Sequence, residues 1–401
     1  MKESKLSIIY PIFLLLVSFP LIHAWFPFTQ RFIVLSVPLI LCSLIFNKKA
    51  FVCPSFFAVI AYVLFLFSFS DRNSYISSIK FLDTAYLFSG VIISYYIIHN
   101  QNSHTCKQIS FISYAFITIT CVASIIICLN VPGAVRYNTI NEVNDIPATV
   151  LAMQKYGLSN YLLPHALPIL IPGIVKQIKD PYFLPQKKIY LKLYLGVILI
   201  FEWYAESATG LILSIFALAA SISIRINGKH NVRNIILLSV ASLLLTSSTI
   251  MNPLIDLLIT ISPDSYTPKL IDLKLQLNGV EAESDMYARA NLYQNSWDVF
   301  FDNFLFGYEG NNLLIGGHSA ILDHLATTGI VGFIPWIFIM ITQFKQNWAR
   351  LSANLRLYYL IGCVCFVLML SLKNMSVYIV WLMFMVYLPA FLLYNPSMIQ
   401  K

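Results

Sequence analysis

Long apolar stretches recur along most of this 401-residue chain, and they restrict its fold more than any other feature. Hydrophobic residues make up 58% of the sequence and charged residues only 11%, which leaves too little polar surface to cover a water-soluble globule. Runs of about 17 to 25 apolar residues are long enough to cross about 30 Å of hydrocarbon as helices. The sequence therefore predicts an all-α, polytopic integral membrane protein, with a single membrane domain over residues 1–401.

The number of such stretches predicts about twelve transmembrane helices. They lie at 7–23, 32–47, 53–70, 81–99, 109–130, 160–175, 189–205, 208–225, 234–251, 318–343, 355–372 and 375–394. The stretch at 160–175 is the least regular, because Pro164, Pro168 and Pro172 interrupt it. An even number of spans places both chain termini on the same side of the membrane.

The distribution of basic residues predicts the orientation, because lysine and arginine are held on the cytoplasmic side during insertion. With a cytoplasmic N-terminus, 17 of the 26 lysines and arginines fall in cytoplasmic segments. Of the 18 acidic residues, only Glu3 and Asp180 do so. We therefore expect cytoplasmic N- and C-termini. The net charge of +8 reflects this topology and does not indicate nucleic-acid binding.

Two outer loops, 131–159 and 252–317, are longer than the packing of a helix bundle requires. Long ordered loops are often functional. The second loop, between the ninth and tenth spans, contains the predicted amphipathic helix "SDMYARANLYQNSWDVFFDN" and then the turn-rich segment "FLFGYEGNNLLIGG". We expect the loop 252–317 to carry catalytic elements.

The tenth span begins with the polar cluster "HSAILDH". At about 100° per residue, one helical face would carry the residues His318, Leu322, Leu325, Gly329 and Gly332. The two glycines would let a neighbouring helix approach closely, and His318 would lie at the water boundary. Asp323 would lie more than about 100° away on this helix, so we expect no dyad with His318 within it. An acid one turn inside a span usually faces protein or water.

The segment from about 285 to 335 carries a spaced set of residues that is typical of a known family. Its first part reads "R…W…F…GYEG", with Arg289, Trp297, Phe306, Gly307 and Gly310. The following "HSAILDHLATTGIVGF" resembles the H-x-x-x-L-x-x-L-x-x-x-G-x-x-G pattern of the O-antigen polymerase and O-antigen ligase superfamily. The twelve-span outline extends this resemblance along the chain.

Two positions depart from the family pattern. Phe304 stands where the family often has proline, and Ala208 stands where an earlier span often carries arginine. The function of that missing arginine is left open, with Arg136 or another basic residue as its replacement.

The resemblance implies glycosyl transfer at the periplasmic face of the bacterial inner membrane, from an undecaprenyl-diphosphate-linked glycan to a sugar hydroxyl. Arginine can hold two phosphate oxygens of such a donor at once. Histidine, with a pKa of about 6.5, can accept a proton from the acceptor hydroxyl at neutral pH. We therefore predict His318 and Arg289 as catalytic residues. The predicted substrate-binding residues are Arg136, Lys155, Trp297 and Asp323.

The same resemblance implies lipid-linked donor and acceptor glycans and membrane lipids as partners, together with a chain-length regulator and a flippase. No cofactor is expected, and the scarcity of metal-ligand clusters predicts a metal-independent reaction. The sequence around Asp323 favours a polymerase of repeat units over a ligase that transfers polymer to lipid A-core, although both use the same donor. A flippase or transporter is the alternative from another class, but the sequence contains no internal repeat of the kind that transporters show.

Overall fold

The computed structural model describes residues 2–18, 28–131, 134–135, 147–156, 158, 161–224, 248–261, 267, 270–271, 274–275, 278, 285–310, 314–374 and 376–394. Within these residues the regular secondary structure is helical, and Asn73 and Gly310 form an isolated parallel bridge. The predicted all-α class is confirmed.

The helices follow the apolar stretches of the sequence. They are α1 (Lys2–Ser18), α2 (Phe28–Phe46), α3 (Pro54–Ser68), α4 (Ser74–Asn100), α5 (Ser103–Asn130), α6 (Ala148–Lys155), α7 (Leu163–Ala166), α8 (Ile171–Lys179), α9 (Pro185–Tyr204), α10 (Ala208–Ser223), α11 (Ser248–Ile261), α12 (Asp285–Asp302), α13 (Ala320–Arg350), α14 (Ala353–Leu372), α15 (Tyr378–Leu382) and α16 (Leu388–Leu393). Among the described residues, the helices that are long and apolar enough to cross a membrane are Ile76–Asn100, Ser103–Asn130, Ala320–Arg350 and Ala353–Leu372. These four helices are compatible with a membrane protein.

The structure differs from the predicted stretches in two details. The stretch 160–175 is not one helix, because α7, a 3-10 turn (Leu167–Ile169) and α8 follow one another as separate pieces. Each piece has a proline in its first turn, where proline is tolerated but prevents the preceding helix from continuing. In addition, α11 extends to Ile261, so the loop predicted from residue 252 begins as helix. Most of the ninth predicted span lies outside the described residues.

The last helical segment forms the centre of the bundle. A π-helical turn (Met383–Tyr387) joins α15 to α16, and the residues from Ile379 to Leu392 are buried. A helix that is apolar on all sides belongs in a core, and α4, α5, α8 and α14 surround this one. Glycines permit the closest approaches, since a Cβ added at Gly90 or Gly173 would lie 2.7 Å from Met385 or Phe391.

Two lysines cap the C-terminal ends of helices at one end of the bundle. The Lys179 ammonium donates hydrogen bonds to the main-chain oxygens of Ser221 over 3.0 Å and Ile224 over 2.7 Å, at the C-terminal end of α10. Lys176 donates to the main-chain oxygen of Tyr394 over 3.3 Å, just beyond α16. A positive side chain stabilises a helix C-terminus, where carbonyl oxygens lack partners. These lysines therefore contribute to packing as well as to the predicted orientation.

Candidate functional site

The amphipathic helix predicted in the long outer loop is present as α12. Its residues Val299 and Phe300 pack with Leu325 and Ala326 of α13 in a small apolar cluster. Side chains one turn apart on a helix share a face, and this face of α12 lies against the first turns of α13. The packing places the long-loop helix next to the chain segment that carries His318.

A buried hydrogen bond joins these two elements. The Ser296 hydroxyl of α12 donates to Asp323 Oδ1 of α13 over 2.6 Å, and both side chains are buried. The same hydroxyl accepts a hydrogen bond from the Gly316 amide over 3.0 Å. A buried carboxylate is tolerated only when hydrogen bonds compensate for its lost hydration. Ser296 therefore binds α12, the turn at Gly316 and α13 together.

Asp323 also binds the main chain on both sides of His318. Its Oδ1 accepts a hydrogen bond from the Gly317 amide over 3.3 Å, and its Oδ2 accepts one from the Ser319 amide over 3.2 Å. Gly317 has a φ of +73°, a backbone conformation that favours glycine. The carboxylate thus fixes the backbone on either side of the histidine, which is half-buried.

The predicted helical stripe from His318 to Gly332 is wrong as a continuous face. Helix α13 begins at Ala320, after Ser319, whose hydroxyl accepts a hydrogen bond from the Leu322 amide as an N-cap. His318 therefore lies in the loop before the helix. The stripe is interrupted again at Gly329, whose φ of +58° breaks the helical geometry.

The break at Gly329 is where the "FLFGYEG" turn crosses α13. The Ile330 amide donates to the Phe304 main-chain oxygen over 2.9 Å, and the Tyr308 amide donates to the Ala326 oxygen over 2.8 Å. Gly307 also has a positive φ, of +77°. The two glycines let turn and helix exchange backbone hydrogen bonds, so the close neighbour of Gly329 is a turn instead of the expected helix.

The backbone contacts of Gly307 and Gly329 leave no room for a side chain at either position. A Cβ at Gly307 would lie 2.2 Å from the Thr327 oxygen, and a Cβ at Gly329 would lie 2.4 Å from the Leu305 oxygen. Gly332 does contact a neighbouring helix, but through a side chain, because a Cβ there would lie 2.4 Å from the Phe65 ring of α3.

The connection between α3 and α4 forms hydrogen bonds with the "FLFGYEG" turn. The Asn73 side-chain amide donates to the Tyr308 main-chain oxygen over 3.0 Å, and the Gly310 amide donates to the Arg72 oxygen over 3.0 Å. Arg72 also forms an ion pair with Glu309 at 3.2 Å. Sequence reasoning missed Arg72 and Asn73, because no local pattern connects positions 235 residues apart.

Of the predicted site residues, Arg289 and Trp297 both lie in α12. Arg289 precedes Ser296 by seven residues, which is about two helical turns, although its side chain lies outside the described part of the structure. Trp297 is exposed, and its ring packs edge-on against that of Phe301, with centroids 5.0 Å apart. Exposed aromatic rings on an amphipathic helix are typical of a membrane interface.

The remaining predicted residues are not brought to this site by the described structure. Lys155 is the last residue of α6, with its side chain outside the described part. Arg136 lies outside the described residues altogether. The assembled unit therefore consists of the helix that carries Arg289 and Trp297, the loop that carries His318, and Asp323 between them.

This unit can support proton transfer. The hydrogen bonds from the Gly317 and Ser319 amides to Asp323 fix the backbone that carries the His318 imidazole, and a fixed backbone is one requirement for positioning a general acid or base. Among the residues that the structure describes, no three His, Cys, Asp or Glu side chains converge as a metal site would need. No protein-family model matches the chain, and no curated protein is significantly similar to it.

Proposed function

We propose that this protein polymerises undecaprenyl-diphosphate-linked oligosaccharide repeat units at the periplasmic face of the bacterial inner membrane, producing O-antigen or a related surface polysaccharide. The hydrogen bond between Ser296 and Asp323 carries the proposal, because it joins the helix of Arg289 to the loop of His318. These are the two residues for which the family resemblance implies a role in glycosyl transfer.

The proposal includes about twelve spans, cytoplasmic termini and periplasmic loops at 131–159 and 252–317. Contacts between helix ends support it. At one end, the Gln101 side chain after α4 donates to the Arg350 oxygen of α13 over 3.1 Å. At the other, the Ala320 amide of α13 donates to the Lys373 oxygen after α14 over 3.0 Å. The charge pattern assigns the first pair to the cytoplasm and the second to the periplasm.

In the proposed reaction, a hydroxyl of the acceptor repeat unit attacks the anomeric carbon of the donor glycan. A new carbon–oxygen bond forms, the bond from that carbon to the diphosphate oxygen breaks, and undecaprenyl diphosphate leaves with the electron pair. His318 accepts the hydroxyl proton during attack and later releases it to water. Arg289 binds the diphosphate and stabilises its growing negative charge.

The other predicted residues have supporting roles in this proposal. Trp297 contacts sugar or lipid at the interface, while the isoprenoid tails stay in hydrocarbon. Arg136 and Lys155 provide further positive charge for the diphosphates. Asp323, which the sequence predicted to bind substrate, acts in this proposal as a positioning residue instead, since its buried carboxylate already accepts hydrogen bonds from Ser296 and two main-chain amides.

A complementation experiment tests the function. A strain lacking this gene would receive the wild-type chain or the His318→Ala variant, and the length distribution of its surface polysaccharide would be measured on gels. Leu314→Ala provides a control, because Leu314 is exposed in the same loop. We expect His318→Ala to leave a core capped with one repeat unit, whereas Leu314→Ala should restore full-length polymer.

Other products in the deletion strain would identify a different activity. Bare core with polymer retained on the lipid carrier would indicate a ligase. Lipid-linked repeat units trapped on the cytoplasmic side would indicate a flippase. Either pattern would overturn the polymerase proposal.

A further inference from the structure

A large open groove lies between α1, α5 and α9. Its volume is about 830 Å³, within the range of about 300–1,000 Å³ that is usual for ligand sites. Its walls are mainly apolar and include Pro11, Ile12, Leu15, Phe111, Leu193 and Val197. A groove of this kind on a membrane-embedded surface is suited to hydrocarbon chains.

One end of the groove is basic. Lys107 and His104 lie in the first two turns of α5, Lys187 lies in the first turn of α9, and all three line the groove. Helix N-termini carry partial positive charge, so lysines there are less favourable than at C-termini. The positive-inside rule explains their side of the membrane, but it does not explain why they converge on one opening. Among the described residues that line the groove, none is acidic. This opening therefore suits an anionic group.

A polar atom at the same opening lacks a partner. The side-chain oxygen of Gln108, which also lines the groove, is buried and has no hydrogen-bond partner within the described structure. Gln108 as a whole is half-buried on the groove wall, so rotation of its terminal amide group would turn this oxygen toward the groove. A ligand that carries a hydroxyl next to its anionic group would then donate a hydrogen bond to it.

The length of the groove indicates the size of its occupant. From Lys107 to Thr118 along α5, eleven residues at 1.5 Å each give about 16 Å. From Lys187 to Val197 along α9, ten residues give about 15 Å. Both values are about half of the 30 Å hydrocarbon core of a bilayer. The groove therefore matches the acyl chains of a single leaflet.

We propose that this groove binds an anionic phospholipid of the cytoplasmic leaflet, of the phosphatidylglycerol type. Its phosphate lies between Lys107 and Lys187, a headgroup hydroxyl donates to the Gln108 oxygen, and its acyl chains follow the apolar wall. Basic openings between membrane helices on the cytoplasmic side favour such headgroups. This site is independent of the proposed polymerase activity.

The test uses the full-length protein in detergent, titrated with phosphatidylglycerol or with zwitterionic phosphatidylethanolamine of the same acyl composition. Bound lipid is counted by native mass spectrometry. We expect phosphatidylglycerol to bind about thirtyfold more tightly, because the two lysines near its headgroup together contribute about 2 kcal/mol. The double variant Lys107→Gln/Lys187→Gln should remove this preference. Lys192→Gln should retain it, because Lys192 is exposed on α9 but does not line the groove.

A second variant tests the apolar wall without changing charge. Leu193→Trp adds volume at an exposed groove position and should reduce phosphatidylglycerol binding, while size-exclusion chromatography confirms that the protein stays folded. Equal binding of the two lipids, or an unchanged preference in the double lysine variant, would overturn the proposal. A stable dimer that covers the groove and excludes lipid would also overturn it.

Discussion

The Ser296 hydroxyl lies 2.6 Å from Asp323 Oδ1 and joins the long-loop helix α12 to the start of α13. Ser296→Ala would remove this donor and would also leave the Gly316 amide without its acceptor. We expect a loss of stability of about 1 to 3 kcal/mol, as is usual for a buried hydrogen bond to a charged group, measured as a lower thermal midpoint in detergent.

The same variant should loosen the loop around His318. A cysteine placed there by His318→Cys should react faster with a maleimide in the Ser296→Ala background. Six of the seven natural cysteines are buried, and the half-buried Cys42 is replaced by serine in every variant. Ser371→Ala is the control, since the exposed Ser371 hydroxyl bonds only within its own helix, to the Val367 oxygen. An unchanged labelling rate would show that Ser296 does not position this loop.

The turn at Gly307 contacts α13 at Gly329 so closely that folding should be sensitive to side-chain volume at both glycines. Gly307→Ala and Gly329→Ala should each sharply lower the yield of folded protein, because both residues have positive φ and any Cβ would collide with backbone. Gly196→Ala should leave the yield unchanged, since a Cβ at that helical position meets nothing within 4 Å and alanine favours helix. Fluorescence-detected size exclusion of tagged variants measures the yield, and equal yields for all three would contradict the crossing.

The contrast between these glycines shows what the sequence could and could not predict. Apolar periodicity located most helices and the amphipathic α12, because burial in lipid or core depends on local composition. It failed at His318 and Gly329. At His318, Asp323 accepts hydrogen bonds from the Gly317 and Ser319 amides, which are local polar contacts that apolar periodicity does not register. At Gly329, the helix breaks because α13 pairs with the "FLFGYEG" turn, and no local pattern around Gly329 indicates that pairing.

Residues that reach the site from distant parts of the chain were also missed. Asn73 holds the Tyr308 turn from the α3–α4 connection, and no spacing pattern predicts that contact. Asp323 was predicted as an unusual acid near a span entrance, because a charge there needs a partner. No sequence pattern identifies Ser296 as its partner, since serine forms hydrogen bonds in many settings.

Lys179, which caps the C-terminal end of α10, is expected to contribute to the stability of the protein. Lys179→Met removes hydrogen bonds to the main-chain oxygens of Ser221 and Ile224. We expect a loss of about 1 to 2 kcal/mol, since these carbonyls lose both a donor and a favourable charge. Lys192→Met should have little effect, because Lys192 is exposed. Thermal unfolding of both variants in detergent would detect the difference, and equal midpoints would exclude a capping role.

The proposed topology predicts the sides on which tags are found. Reporter tags within 140–150 and 270–280 should be periplasmic, whereas tags within 180–188 and 345–352 should be cytoplasmic. A cysteine introduced by Ser284→Cys should react with a membrane-impermeant reagent added outside spheroplasts. Cytoplasmic labelling of that cysteine would place α12 on the wrong side for a periplasmic donor and would remove the basis of the site.

Arg289 is expected to require its planar guanidinium. Arg289→Lys keeps the charge but cannot bind two diphosphate oxygens in the same geometry, so polymer formation should fall sharply at matched protein levels. Asp302→Asn, at the exposed end of the same helix, serves as the control. Wild-type activity of Arg289→Lys would mean that the donor diphosphate is held elsewhere, with Arg136 as the next candidate.

We propose His318 as the general base, and an assay with purified protein and lipid-linked repeat units measures that role without the rest of the cell. The measurement is the rate of polymer formation by His318→Ala together with its binding of the lipid-linked donor. Loss of the general base should lower the rate by about 10²- to 10⁴-fold, with donor binding and the folded yield unchanged. Polymer formation by His318→Ala at the wild-type rate would contradict this role.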